Sequence, residues 1–284
     1  MFNALTIDLE DWYHVCGAGV ATEPTVGEGR VRCNTEAILV LLNTFGVKAT
    51  FFILGCVAEA EPDLAPLIAS AGHEIASHGW SHQLVSTLKP EEFRDELRRT
   101  CDLLEQQTGR RTVGFRAPQW SLGSSTPWAF DILREEGFRY DSSLNPLPFV
   151  GDRRGPRIPH RLDNGLWEIP PLTTHCVPCN LPTGGGWGLR FFPKGLIRAT
   201  IRRLNRDEFP AVIYLHPREM EAYGPRLRLS PLKGFVAYGP HRSVADRLKE
   251  LLPLFRFKTM EHLVDQWDIA SSSRRTTPQQ PSPG

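Results

Sequence analysis

Apolar positions along the chain switch repeatedly between strand-like runs and helical stripes. "ALTID" (4–8) and "KATFFIL" (48–54) are short, apolar and rich in β-branched or aromatic residues, the pattern of buried strands. Between them, "NTEAILVLLNTFG" (34–46) carries apolar residues at helical spacing, with Asn34 as its expected cap and Gly46 at its end. "EPDLAPLIASAG" (61–72) predicts a second helix, with Pro near its start and Gly at its end, and "HEIASH" (73–78) a third strand. The strongest helical signal is "KPEEFRDELRRTCDLLEQQTG" (89–109). Pro and two Glu fill its first turn, and Phe93, Leu97, Cys101 and Leu104 share one stripe. A strand at 112–117, a helix at 125–137 and a short strand around 138–143 follow. A Pro- and Gly-rich stretch (144–192) then breaks the rhythm, before helix 194–205, strand 211–216, helix 243–255 and strand 256–260.

Repeated strand-then-helix units predict parallel strands covered by helices. Six or seven such units fit a barrel better than an open sheet, so the expected fold is an α/β, distorted (β/α) barrel of about seven parallel strands. No internal boundary interrupts it, and residues 1–269 read as one domain. "ASSSRRTTPQQPSPG" (270–284) reads as a disordered polar tail.

Composition adds mainly exclusions. The 284 residues are 40% hydrophobic and 23% charged, an ordinary globular balance. Lys and Arg number 33 against 32 Asp and Glu, a net charge of +1, which gives no bulk pull toward nucleic acid or an anionic membrane. No run approaches the ~20 apolar residues of a transmembrane helix. The opening "MFNALTIDLEDW" lacks the basic and apolar regions of a signal peptide, so the expected location is the cytoplasm. Six cysteines fall in no framework, as for reduced thiols. Cys176-Val-Pro-Cys179 has no second pair at zinc-ribbon spacing and is expected to carry no chemistry.

Candidate chemistry collects at strand ends, where parallel α/β folds place their sites. Strand 4–8 runs into Asp8-Leu9-Glu10-Asp11, and strand 73–78 into "SHGWSH", whose His78 and His82 stand four apart and could share a metal ion. Strand 112–117 ends at Arg116 and Pro118, the strand near 140 at Asp141, and strand 211–216 at His216. Any one of these is ordinary as a cap or surface ion pair. Five strand ends carrying ionisable groups on one rim point to a site.

These residues resemble the motifs of the NodB-homology polysaccharide deacetylases, carbohydrate esterase family four, over roughly residues 3 to 265. The family's H-[ST]-x-x-H is matched by His78-Gly79-Trp80-Ser81-His82, with Gly79 in place of Ser or Thr; its arginine motif by "GFRAPQW" (114–120); its leucine–histidine motif by "YLHP" (214–217). "TIDLEDWYH" (6–14), "HPRE" (216–219) and "FRF" (255–257) are similar to the subgroup associated with exopolysaccharide export and PEP-CTERM sorting. One position departs: where the family has adjacent aspartates, this chain has Asp8 followed by Leu9. Alternation along a strand brings Glu10, not Leu9, to the face of Asp8, so Glu10 is the expected third metal ligand, with Asp11 as competitor.

The resemblance implies one divalent metal ion, zinc by expectation, on Glu10, His78 and His82. It implies Asp8 as general base, His216 as general acid, Arg116 paired with Asp8, and Asp141 supporting His216 as imidazolium. The substrate implied is an N-acetylated amino sugar in a polysaccharide or its lipid-linked precursor, with Trp80, Pro118, Trp120 and Trp187 as candidate sugar contacts. "TGGGWGLRFF" (183–192) is expected to form a loop over the mouth. The rivals are an allantoinase-like or other amide hydrolase on the same fold, and a carbohydrate-binding protein without catalysis.

Overall fold

The computed structural model describes residues 1–15, 29–148, 150–151, 155–240 and 244–275. Cys16 and residues 276–284 lie outside the described residues. In chain order the elements are β1 (Asn3–Leu9), α1 (Val31–Thr44), β2 (Thr50–Ile53), α2 (Gly55–Ala60), α3 (Leu64–Ser70), β3 (Glu74–Ser77), α4 (Pro90–Thr108), β4 (Gly114–Phe115), α5 (Pro127–Glu135) and β5 (Tyr140–Asp141). There follow β6 (His160–Arg161), β7 (Trp167–Glu168), β8 (Thr174–Cys176), β9 (Cys179–Leu181), α6 (Gly186–Phe191), α7 (Lys194–Arg206), β10 (Val212–Leu215), α8 (Pro231–Tyr238), α9 (Val244–Leu251), β11 (Phe257–Lys258) and α10 (Met260–Arg275).

The strands β10-β1-β2-β3-β4-β5-β7 run parallel in that order, with β6 antiparallel at the far edge. β11 pairs with Asn3 and Ala4 at the start of β1, along the edge that β2 takes from Thr6 onward. The sheet curls. Leu172 N donates to Val212 O at 2.8 Å and Tyr214 N to Gly184 O at 2.9 Å, so the chain beyond β7 reaches round to β10. The expected barrel of about seven parallel strands is therefore present as a curled half-barrel sheet. Among the described residues, no helix is long and apolar enough to cross a membrane.

Side-chain alternation in β1 separates two cores. Leu5, Ile7 and Leu9 point outward into the apolar layer shared with Ile38, Leu42, Phe51 and Ile53, under α1 and α3. Ala4 points inward to Phe52, Ala76, Tyr140 and Met260, which leaves Thr6 and Asp8 facing the barrel interior. A third cluster, including Phe93, Leu97, Phe115 and Leu133, packs α4 and α5 on β4.

Three expectations change. The first helix begins at Val31, not after Asn34, because its start is held from afar: Asp11 accepts from Arg30 N at 2.9 Å. The helix expected at 61–72 is α3, confined to Leu64–Ser70, and a further short helix, α2, precedes it directly after β2. The last helix runs to Arg275, into the segment expected as a polar tail from residue 270. Cys176 and Cys179 face each other across the β8–β9 hairpin as free thiols.

At the end of the barrel away from the strand C-termini, Glu74 is buried, accepting from Tyr140 Oη at 2.5 Å and Thr50 Oγ1 at 2.7 Å. Burial pushes its carboxyl from 4.5 up to about 7, against the pull of those donors and Glu261 N. The folded protein thus binds this proton more tightly than the unfolded chain. Stability from this group is fully present below about pH 4.5 and is lost as pH rises through about 7. We expect denaturant melts at pH 5 and pH 8 to differ in the wild type by up to about 3 kcal/mol from this source. The difference should shrink in Glu74→Gln; an unchanged difference would show that Glu74 does not titrate in this window.

Candidate active site

Arg116, with 0% exposure, anchors the floor of the mouth. Its Nη1 donates to Thr6 Oγ1 at 2.8 Å and Asp8 Oδ1 at 2.6 Å, while Nη2 and Nε reach Ser142 Oγ and Ser142 O at 2.9 and 3.2 Å. Its guanidinium carbon lies 4.1 Å from the Phe52 ring centre. The expected pairing of Arg116 with Asp8 is present, and Asp8 Oδ2 remains turned to the mouth, 4.0 Å from His216 Nε2.

Beside Asp8 stands a group that could hold a metal ion. Glu10, His78 and His82 each offer a ligand atom, all within 4.8 Å of one another. Glu10 Oε1 lies 3.2 Å from His78 Nε2 and 3.0 Å from His82 Nε2. Burial works against the charge of Glu10, but His82, His216 and the hydrogen bonds from both ring nitrogens outweigh it and hold its carboxyl below the usual range. His78 Nδ1 is 2.7 Å from the Arg116 carbonyl. A carbonyl only accepts, so Nδ1 carries a proton and Nε2 is the ring atom available to a cation. Two nitrogens and one carboxylate are the donor set of an open divalent site.

The turn that carries the histidines explains the departure at residue 79. Gly79 has φ +77° and His82 φ +61°. Left-handed backbone favours glycine at the first position, and the strained histidine is held where it meets Glu10. Asp11 is engaged elsewhere, with Trp12 N at 2.7 Å and Arg30 N, so Glu10 alone of the two joins the cluster. His14, half-buried beside it, has its ring centre 5.7 Å from that of His82. Burial lowers His14 to about 4, keeping it neutral near pH 7.

The support of His216 differs from expectation. Glu219 lies 3.3 Å from His216 Nδ1 through Oε2, which also accepts from His216 N at 3.0 Å, and Arg190 Nη1 donates to Glu219 Oε1 at 2.5 Å. Burial opposes ionisation of Glu219, yet Arg190 and His216 hold its carboxyl well below the usual range. Asp141 is committed to Ser143, accepting from its Oγ at 2.5 Å and its N at 3.2 Å, and does not support His216. It faces Glu168, whose carboxyl is pushed up by burial and then by the charge of Asp141. Arg218, one residue from Pro217, reaches Glu10 Oε2 at 3.0 Å. Beside these groups is a cavity of about 30 Å³ lined in part by Trp12, Arg190, Arg218, Glu219 and Tyr238.

The aromatic candidates separate. Trp120 is half-buried at the mouth, 4.8 Å from Tyr214 and 5.2 Å from the Arg116 guanidinium carbon, on a segment where Gln119 and Trp120 have φ of +53° and +58°. Pro118 is buried next to Gly79. Trp80 is instead packed between Arg99, 3.4 Å from its ring centre, and Gly55, where a Cβ would come within 2.3 Å of the indole. It is a packing residue. Trp187 stacks on Phe191 at 4.7 Å in a cluster with Phe192 and Phe235. The glycine run before it is not a loose flap: a Cβ on Gly185 would meet the Tyr214 ring at 2.2 Å, and one on Gly186 the Glu219 carboxylate at 1.7 Å. Small residues there let α6 pack onto β10 and its site.

Thr6, His14, Ser142, Arg190, Arg218 and Glu219 were not singled out in the sequence. Arg218 and Glu219 had a signal, since they follow His216 in "HPRE" and Glu219 stands at capping-box spacing. Arg190 and Ser142 had none.

Residues 24–140 match the polysaccharide deacetylase family, and residues 142–265 match a domain of unknown function, DUF3473. A peptidoglycan deacetylase of Helicobacter pylori is 34% identical over 139 residues, 47% of this chain and 46% of the relative. A peptidoglycan deacetylase-like protein of Gibberella zeae is 37% identical over 116 residues, 40% of this chain and 33% of the relative. The chain thus spans a third to a half of these relatives' lengths. A solved structure from Mycobacterium smegmatis, described as a candidate polysaccharide deacetylase, superposes with TM-score 0.63 at 23% identity. It covers 99% of this chain and 93% of its own, a likeness of fold.

The two neighbouring carboxylates predict a clean contrast. Glu10→Gln should weaken zinc or cobalt binding by more than the roughly 10–100-fold that loss of an outer hydrogen-bond partner costs. Asp11→Asn should leave metal affinity near the wild type while lowering stability by about 1 kcal/mol, the worth of an acceptor at a helix start. Competition titration and denaturant melts of both variants decide it; equal metal loss in the two would remove Glu10 from its place.

Proposed function

Because the chain belongs, through residues 24–140, to the NodB-homology polysaccharide deacetylases, we propose that it is a metal-dependent hydrolase that removes N-acetyl groups from an amino sugar. The acceptor is a polysaccharide or its lipid-linked precursor, and the motifs at 6–14, 216–219 and 255–257 favour the exopolysaccharide subgroup. One juxtaposition carries this assignment: Asp8 and His216, 4.0 Å apart, flank the Glu10–His78–His82 cluster.

A divalent ion held by Glu10, His78 and His82, zinc in our assignment, would supply Lewis-acid polarisation of the acetamide carbonyl and a more acidic water. Asp8 receives the proton of the attacking water at Oδ2, because Oδ1 is engaged by Arg116. As the water oxygen bonds to the carbonyl carbon, His216 Nε2 gives its proton to the amine nitrogen, and the C–N bond breaks to release acetate. Glu219 accepts from His216 Nδ1 and orients the ring with Nε2 toward the site, the part expected of Asp141. Arg116 positions Asp8 and, through its carbonyl, His78. Trp120, at the mouth, offers a face to the sugar.

Two variants test this division of labour. Asp8→Asn should keep its metal yet lose about 10²–10⁴-fold in acetate release. His216→Ala should be nearly inactive on an N-acetyl sugar oligomer and much less impaired on an aryl acetate, whose phenolate leaves without a proton. Equal losses on the two substrates would rule out His216 as the acid, and a nearly unaffected Asp8→Asn would rule out Asp8 as the base.

A further inference from the structure

The near balance of charge over the whole chain conceals a local asymmetry. From residue 222 to residue 245 there are four Lys or Arg and no Asp or Glu, in a chain with 33 basic and 32 acidic residues. Within this stretch Arg226, Arg228 and Lys233 are exposed. The same stretch contains α8, "PLKGFVAY", in which no residue is buried although most of its side chains are apolar. Leu232 is 75% exposed, Val236 50% and Phe235 44%. Positions 232, 235 and 236 are spaced i, i+3 and i+4, so they share one face of the helix. That face continues onto α6: Phe235 meets Phe191, itself 45% exposed, with ring centres 6.0 Å apart, and Trp187 at 5.9 Å.

A contiguous exposed apolar surface marks an interaction site. Here an apolar helix face with aromatic support lies in a sequence stretch that is basic and free of acidic residues, with Glu219 and Glu221 only at the cavity behind the helix end. A protein partner could be apolar alone; the one-signed charge of the stretch that carries this face favours an apolar layer beneath a negatively charged surface, which is what an anionic bilayer presents to a helix lying in its plane. We propose that α8, with Phe191 and the basic residues Arg228 and Lys233, docks this protein peripherally on an anionic membrane surface. Leu232, Phe235 and Val236 enter the acyl boundary, and the basic side chains meet the headgroups. Ala237 and Tyr238, at the end of the same helix, line the cavity beside Arg218 and Glu219. Docking α8 therefore anchors one wall of this cavity, next to the site, at the membrane surface, where a lipid-linked saccharide would be held. The proposal concerns binding and is tested without turnover, so it stands or falls apart from the deacetylase assignment.

The full chain is sedimented with vesicles of phosphatidylcholine alone and of phosphatidylcholine with an equal part of phosphatidylglycerol, at low and high salt. Binding to the anionic vesicles should be at least roughly tenfold tighter and should weaken with salt. Arg228→Gln/Lys233→Gln should weaken it by roughly 25-fold, about fivefold for each charge removed. Leu232→Asn/Val236→Asn should also weaken binding, and what remains, being electrostatic, should be lost at high salt. Both double variants should keep the wild-type melting curve and zinc affinity, which separates loss of docking from loss of fold. The absence of binding to anionic vesicles, or equal binding by wild type and both variants, overturns the proposal. A dimer in sedimentation velocity that Leu232→Asn/Val236→Asn abolishes, without vesicle binding, would assign the face to a second copy and overturn it too.

Discussion

A fully buried guanidinium holds the ends of three strands together. Arg116 follows β4, and its side chain is bonded to Thr6 and Asp8 on β1 and to Ser142 beyond β5. A buried charge is tolerable only when paired and hydrogen-bonded, and removing one partner of such a pair costs about 3–5 kcal/mol. The pairing also sets chemistry. The side chain engages one oxygen of Asp8 and leaves the other to the mouth, while the carbonyl of the same residue fixes the ring of His78. One residue thus orients groups on both flanks of the candidate metal cluster.

Around this centre the carboxylates are distributed by what neutralises them. Glu10 faces two histidines and Arg218; Glu219 faces His216 and Arg190. Asp141 and Glu168 face each other instead, and burial and the charge of Asp141 push the Glu168 carboxyl well above its usual range. That pair braces the loop of Ser142 and Ser143 under Arg116, a structural task for an aspartate that stands at a strand end like the others.

Strand and helix identity were legible wherever the apolar period was long: α4 and α7 lie within a residue or two of their expected bounds. The grouping of Glu10 with His78 and His82 was legible too, because strand alternation selects Glu10 over Leu9 and the histidine spacing is local. What failed was information carried by distant residues. The start of α1 is held by Asp11, not by Asn34 within its own segment. The partner of His216 is decided by which carboxylate the fold leaves beside it, and Arg190, which charges that partner, comes from a glycine-rich stretch without a motif. Trp80 looked like a sugar platform because it sits among the histidines, yet a glycine on α2 makes room for its ring inside the protein. The short strands β6 to β9 and helix α8 lack a period long enough to read.

The alternation of β1 has a consequence for quality control of the chain itself. Thr6 and Asp8 face Arg116, and Ile7 and Leu9 face the outer apolar layer. A slip of one residue would turn every one of these side chains to the opposite face. Asp8 would be driven into the aliphatic layer under α1, and the Arg116 charge would be left buried against Ile7 or Leu9. Both faults are too costly for a marginally stable domain to carry. A chain with β1 mis-registered is therefore not a folded but inactive protein. It fails to fold, and so the register is proofread by the same ion pair that readies the site.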